Sequence, residues 1–196
     1  MQRNKLSEAI EALQNGRIVV YPTDTLYAFG ADIYDEGAVR KVFEIKKRPF
    51  DIPLPVAVSN FTGVERIAFV NDNARKLAKH FLPGSLTLIL DKKSTIPDIV
   101  TSRMNKIAVR IPDNTVALEL LSKFGPLTVT SANVHGMETP GIISDINMQV
   151  REDDVAVYLD YGILGGSPST IVDATYERPK IIREGAIAKH DILAVI

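Results

Sequence analysis

The chain has 196 residues, 45% apolar and 24% charged, enough to bury one full hydrophobic core. It has no cysteine, which excludes disulfide frameworks, thiol nucleophiles and cysteine-based zinc or redox sites, and its three histidines are too scattered for a His-rich metal centre. With 23 basic and 24 acidic residues the net charge is −1, so no global basic coat for nucleic acid exists, although a local basic cleft is compatible with it. Residues 1–16 are too charged for a signal peptide, and the longest apolar runs, such as residues 86–90, are strand-sized. A soluble cytoplasmic protein with no membrane contact is expected.

Leu6, Ala9, Ile10 and Leu13 recur at helical spacing, and Gly16 stops that helix. Residues 17–21 read as a strand ended by Pro22. Val39, Val42 and Phe43 mark a helix over about residues 36–47. Pro49, Pro53 and Pro55 enclose a stiff loop before a short strand at 56–58. Helices are expected at 61–68 and 73–81, a turn at Pro83 and Gly84, and a buried strand at 86–90; residues 91–106 read as irregular. A strand at 107–111 precedes a helical face of Ala117, Leu120, Leu121 and Phe124. A short strand at 127–130 leads into a polar loop, 131–141. Further strands are expected at 155–159, 170–174 and 180–183, then a short helix from Asp191. Helices and strands mix without strict alternation, which predicts an α/β fold with a sheet of mixed direction.

Polar clusters follow these strands, where a rigid scaffold usually presents chemistry. Thr23, Asp24 and Thr25, with Tyr27 and Gly30 beyond, can hold an amino-acid-like ligand or a hydrated cation; the same residues also make turns that satisfy their own backbone. Arg40, Lys41, Lys46, Lys47 and Arg48 gather cations at a helix end, offset by Glu44. Lys46 and Arg48, leading into Pro49, can grip phosphate, although cations there are also favoured by the helix dipole. Ser131 and Asn133 open a loop running through Thr139 to Gly141 that either holds a nucleotide or ends a strand. Arg110, inside an apolar strand, needs a partner, which is a ligand carboxylate or a structural ion pair. Gly165, Gly166 and Ser169, then Arg183, Glu184 and Gly185, bring backbone and hydroxyls near a ligand.

No GxxxxGK[ST], GxGxxG or GxSxG sequence occurs, which removes P-loop, Rossmann and nucleophile-elbow chemistry. What remains is a hydroxyl-rich, cation-lined pocket that works by positioning and charge neutralisation. A phosphate-bearing ligand with a small carboxylate-bearing one suits it.

PTDTLYAFGAD (22–32), Lys46-Lys47-Arg48, PGSLTLIL (83–90), Val109-Arg110-Ile111-Pro112, Ser131-Ala132-Asn133, STIVD (169–173) and Arg183-Glu184-Gly185 stand in the order found in the YrdC-like threonylcarbamoyl-AMP synthases. The chain resembles that family over about residues 5–190. The resemblance implies a single YrdC-like domain over 1–196: a twisted mixed sheet with flanking helices and a positively charged concave cavity. It implies that L-threonine, bicarbonate or CO2, and ATP with Mg2+ give threonylcarbamoyl-AMP and pyrophosphate. The product would serve threonylcarbamoyl-adenosine modification of tRNA through a separate Kae1/TsaD-type transferase, and binding of tRNA or double-stranded RNA is a further expectation. Carried over position by position, Thr25, Arg110 and Ser169 would seat threonine, Arg110 on its carboxylate. Lys46 and Arg48 would act on the ATP phosphates, and Ser131, Asn133, Thr139 and Arg183 would hold the nucleotide. Threonine's amine would attack CO2 or bicarbonate, with Asp24 or water as base, and the new carboxylate would then attack the α-phosphate.

The chain departs from the family pattern at several positions. Ile52 stands where many members carry Asn, and Ala57 where they carry His. Two polar contacts are therefore expected to be missing, each worth about 1 kcal/mol. Lys106 replaces a common Thr and can still face phosphate, and Ala28 stands where the first Gly of YGLG is usual. The chain resembles the short type without an appended domain, which implies an open cavity that hands product to a partner. Other readings also fit the residues: an RNA-binding module without chemistry, a carbamoyl transfer like that of the YrdC-like domains of hydrogenase-maturation proteins, or a threonine or nucleotide sensor.

Overall fold

The computed structural model describes residues 2–196. In chain order its elements are α1 (Gln2–Gln14), β1 (Val19–Pro22), β2 (Tyr27–Gly30), α2 (Glu36–Lys46), β3 (Val56–Ala57), α3 (Phe61–Ile67), β4 (Ala68–Phe69), α4 (Asp72–Phe81), β5 (Leu86–Lys92) and β6 (Lys106–Arg110). There follow α5 (Thr115–Phe124), β7 (Leu127–Thr128), β8 (Thr130–Ser131), α6 (Ile143–Gln149), β9 (Val157–Tyr158), β10 (Thr170–Asp173), β11 (Lys180–Arg183) and α7 (Lys189–Leu193). Four helices start where a short polar side chain takes up free backbone N–H groups. Asp35 accepts from Gly37 and Ala38, and Asn60, Asn71 and Asn114 cap α3, α4 and α5 in the same way. Among the described residues no helix is long and apolar enough to cross a membrane.

Strand directions are mixed, as expected, but they form two sheets. The smaller has the order β8-β2-β1-β9; the larger runs β11-β10-β5-β6-β3-β7, with β4 on the far end of β5. The expected strand at 127–130 is divided between them. β7 pairs with β3 in the large sheet, and β8 with β2 in the small one. Val129, between them, gives its N–H to the Pro55 carbonyl. The buried Thr128 hydroxyl stitches the sheets by donating to Phe29 O (2.9 Å) and accepting from Ala31 N (3.0 Å).

Several features went unforeseen, the short β4 among them. β2 is buried at all four residues and shows no alternation, so it reads as part of the polar turn before it. β5 runs on to Lys92, into the stretch read as irregular, because β4 and β6 pair with it there. α6 lies beyond the polar loop with no side-chain cap. The large core cluster joins the two sheets with α2, α3 and α4; a second packs α1 and α5 on the small sheet through Leu6, Leu13, Leu120 and Leu121. A cavity opens between the β2–β8 side of the small sheet and the β5, β6, β10 and β11 strands of the large one.

Candidate functional site

The turn after β1 satisfies itself and also faces the site. The Thr23 hydroxyl accepts from the N–H groups of Thr25 and Leu26, both at 3.1 Å. Thr25 Oγ1 bonds Thr23 Oγ1 at 2.9 Å and accepts from Arg110 Nη1 at 3.1 Å. Arg110 Nη2 donates to Asp24 Oδ1 at 2.6 Å and to the Gly84 carbonyl at 3.2 Å, while its buried Nε has no partner. Burial pulls the Arg110 pKa below its ordinary value, and the Asp24 carboxylate opposes that pull. Both Asp24 oxygens are engaged, since Oδ1 also accepts from Asp113 N (3.1 Å) and Oδ2 from the Ser85 hydroxyl (2.7 Å). The structural ion pair, one of the alternatives in the sequence, is thus present, and the same residue lines a cavity.

The floor comes from the large sheet. Thr87 on β5 and Ser169 before β10 share a hydrogen bond at 2.8 Å. Arg183 donates to the Ser169 carbonyl from Nε (3.2 Å) and Nη2 (2.7 Å), and burial lowers its pKa, with the charge of Arg110 adding to the effect. Gly185 lets the chain close here. A Cβ at this position would overlap the Pro168 carbonyl and stand 2.7 Å from that of Ser169. Gly185→Ala should therefore displace Ser169 and Arg183 together. The strain costs about 2 kcal/mol, a thermal midpoint roughly 6 °C lower for a chain of this size. Melting curves check this; an unchanged midpoint would show that the contact relaxes freely.

At the end of α2, Lys47 takes the left-handed conformation (φ 50°), and its neighbours point different ways. Arg48 reaches the cavity. Its Nε and Nη2 donate to the carbonyls of Ile52 and Pro53, both at 3.0 Å, which shapes the proline loop. Lys46 turns inward, 2% exposed, and its ammonium donates to Ser131 O (2.5 Å), Asn133 O (2.8 Å) and Asn133 Oδ1 (3.1 Å). Burial, and then the charge of Arg48, draw its pKa down to about 7. The Ser131 hydroxyl donates to the same Asn133 Oδ1 at 2.6 Å.

The resulting cavity holds about 500 Å³, within the usual range for small-molecule sites. It brings together Thr25, Arg48, Arg110, Ser131, Thr139, Ser169 and Arg183, and no carboxylate lines it. Lys46 and Asn133 do not reach its wall. Nor does Lys106, whose ammonium is bound to Asp173 at 2.9 Å and covers the Tyr176 ring at 4.4 Å. Of the departures from the family pattern, Ile52 and Ala28 line the cavity. Ala57 sits in register with Arg110, fully buried in the second core cluster and off the cavity wall. Ile52 is thus part of the wall, whereas Ala57 serves packing. Thr87 is a site residue that sequence reasoning passed over; its signal was a lone hydroxyl in the apolar run LTLIL. A larger groove of about 670 Å³, between Arg17, α2 and α6, takes Lys41 and Lys47 of the cation cluster, and its charges are mixed.

A family model described as telomere recombination, Sua5/YciO/YrdC, matches residues 11–185. The chain belongs to this family. A Methanocaldococcus jannaschii protein, provisionally named a threonylcarbamoyl-AMP synthase, is 43% identical over 95% of this chain and 88% of its own length. The structure of Pyrococcus abyssi Sua5 complexed with L-threonine superposes with a TM-score of 0.92 at 33% identity; all of this chain is covered, and 58% of that one. Escherichia coli YciO superposes with a TM-score of 0.87 at 29% identity, covering 96% of this chain and 92% of its own. This chain thus has a YrdC-like mixed α/β fold with two mixed sheets.

Proposed function

We propose that the chain is an L-threonylcarbamoyladenylate synthase, with residues 1–196 acting as one YrdC-like domain. The observation that carries this reading is the convergence of Arg48, Arg110 and Arg183 with the hydroxyls of Thr25, Ser131, Thr139 and Ser169 on one cavity free of carboxylates. Three guanidinium groups with no carboxylate would give such a wall positive charge, which suits a nucleoside triphosphate beside an amino acid. The kinship with named synthases supports the same substrates. Thr25 and Arg110 would take threonine's carboxylate, with Ser169 beside them, and Arg48, Arg183, Ser131 and Thr139 the nucleotide. Among the described residues no three carboxylate or imidazole groups converge to hold a metal, so Mg2+ would arrive on the ATP phosphates.

Threonine's neutral amine forms a C–N bond with CO2 and loses its proton to water or bicarbonate, because Asp24 is committed to Arg110 and Ser85. A carbamate oxygen then bonds the α-phosphorus as the bond to the β-phosphate breaks. Pyrophosphate leaves with its charge met by Arg48. Delivery of threonylcarbamoyl-AMP to a Kae1/TsaD-type transferase acting on tRNA completes the proposal. The test is pyrophosphate release from ATP and Mg2+, with serine as control. Release that requires both threonine and bicarbonate supports the synthase. Saturable ATP or threonine binding without release would replace it with a sensor, for which the missing polar group at Ile52 argues. Absence of both would leave double-stranded RNA or tRNA binding as the reading.

A further inference from the structure

We infer that Lys46 is a positioning residue: its ammonium locks the Ser131, Ala132, Asn133 segment against the end of α2 and does not itself grip phosphate. The inference deepens the nucleotide reading of the cavity and rests on it only for its ligands. An ammonium has three protons, and here three acceptors at 2.5, 2.8 and 3.1 Å face Lys46 Nζ. All belong to Ser131 and Asn133. The Lys46 backbone adds a fourth link, since its carbonyl accepts from His135 N at 2.7 Å. The side chain is 2% exposed and lies off the cavity wall.

To reach a phosphate, Lys46 would have to abandon at least one of these bonds, and a buried carbonyl would lose its donor. No carboxylate bonds its ammonium, and the charge felt from its own helix end is that of Arg48. Burial also draws its pKa down, so a position away from water-borne anions and against carbonyl oxygens is the one its surroundings favour. Its work is carried onward by Asn133, whose Oδ1 takes both Lys46 and the Ser131 hydroxyl and whose Nδ2 donates to Met137 O at 2.7 Å. Ser131 and the loop toward Thr139 are thereby set in place from behind.

The test uses the whole chain, inorganic pyrophosphate and AMP as separate probes, and amide hydrogen exchange. In ligand-free Lys46→Met, exchange at Asn133, His135 and Met137 should quicken about tenfold, the effect of losing roughly 1.4 kcal/mol of local stability. AMP affinity should fall by a similar factor, while pyrophosphate affinity changes less than about twofold, in contrast to Arg48→Ala. Unchanged loop exchange with a tenfold loss of pyrophosphate affinity would overturn the assignment. Should Lys46→Met fail to fold, the wild-type chain still decides. Pyrophosphate should leave exchange at 133–137 unchanged or slower, whereas faster exchange would mean that Lys46 quits the loop for the anion. If neither probe binds the wild type, the proposed function fails, yet loop exchange in the variant still tests the positioning role.

Discussion

Arg110→Met should abolish turnover and lower the thermal midpoint by roughly 10 °C. The Arg110–Asp24 pair is 6% and 13% exposed, so removing the cation strands a buried carboxylate. Breaking a buried pair in this way costs about 3–5 kcal/mol, and a chain of this size loses roughly 2–4 °C per kcal/mol. The loss should also spread, because Asp24 holds Ser85 and Asp113 while Arg110 holds Thr25 and the Gly84 carbonyl. The double variant Asp24→Asn with Arg110→Met should regain most of the melting temperature, since no unpaired charge remains, but none of the turnover. Calorimetry on wild type, both single variants and the double gives the coupling energy. If the double variant melts no higher than Arg110→Met, Asp24 is not what the arginine holds, and the wall at Thr25 is built some other way.

Arg48→Ala should cut turnover by about 10²–10³, as expected when a preorganised charge at a developing anion is removed. Its thermal midpoint should fall only a few degrees. The residue makes two hydrogen bonds, to Ile52 O and Pro53 O, each worth about 1 kcal/mol. Arg48→Lys keeps the charge but not the fork, so it should recover part of the turnover and little of the stability. Single-turnover pyrophosphate release and melting curves separate the two roles. Full turnover in Arg48→Ala would move the phosphate site elsewhere in the cavity.

The pair Lys46 and Arg48 marks how far the sequence could be read. Two cations ahead of Pro49 read as one phosphate grip. The left-handed turn at Lys47 sends one inward to the loop at 131–133 and the other to the cavity. Thr23 and Thr25 likewise divided the two readings of their cluster, one closing the turn and the other meeting Arg110. Lys106 kept its charge but spends it on Asp173. The mixed-direction α/β class was readable from the order of elements, whereas the division into two sheets was not. It depends on Val129 bonding Pro55 and on the Thr128 hydroxyl, contacts between segments far apart in the chain.

Local chemistry was therefore settled in one dimension: the stop of the first helix at Gly16, the proline loop, the absence of thiol and P-loop chemistry, and the residues able to face a ligand. These follow from residues acting on their own neighbouring backbone. Which of those residues share a cavity, which are sealed behind it, and that Asp24 is bound to Arg110 were decided only by tertiary packing. A charged side chain has many candidate partners along a sequence. Burial leaves it one set, because an ammonium or guanidinium removed from water must find its acceptors wherever the sheets bring them.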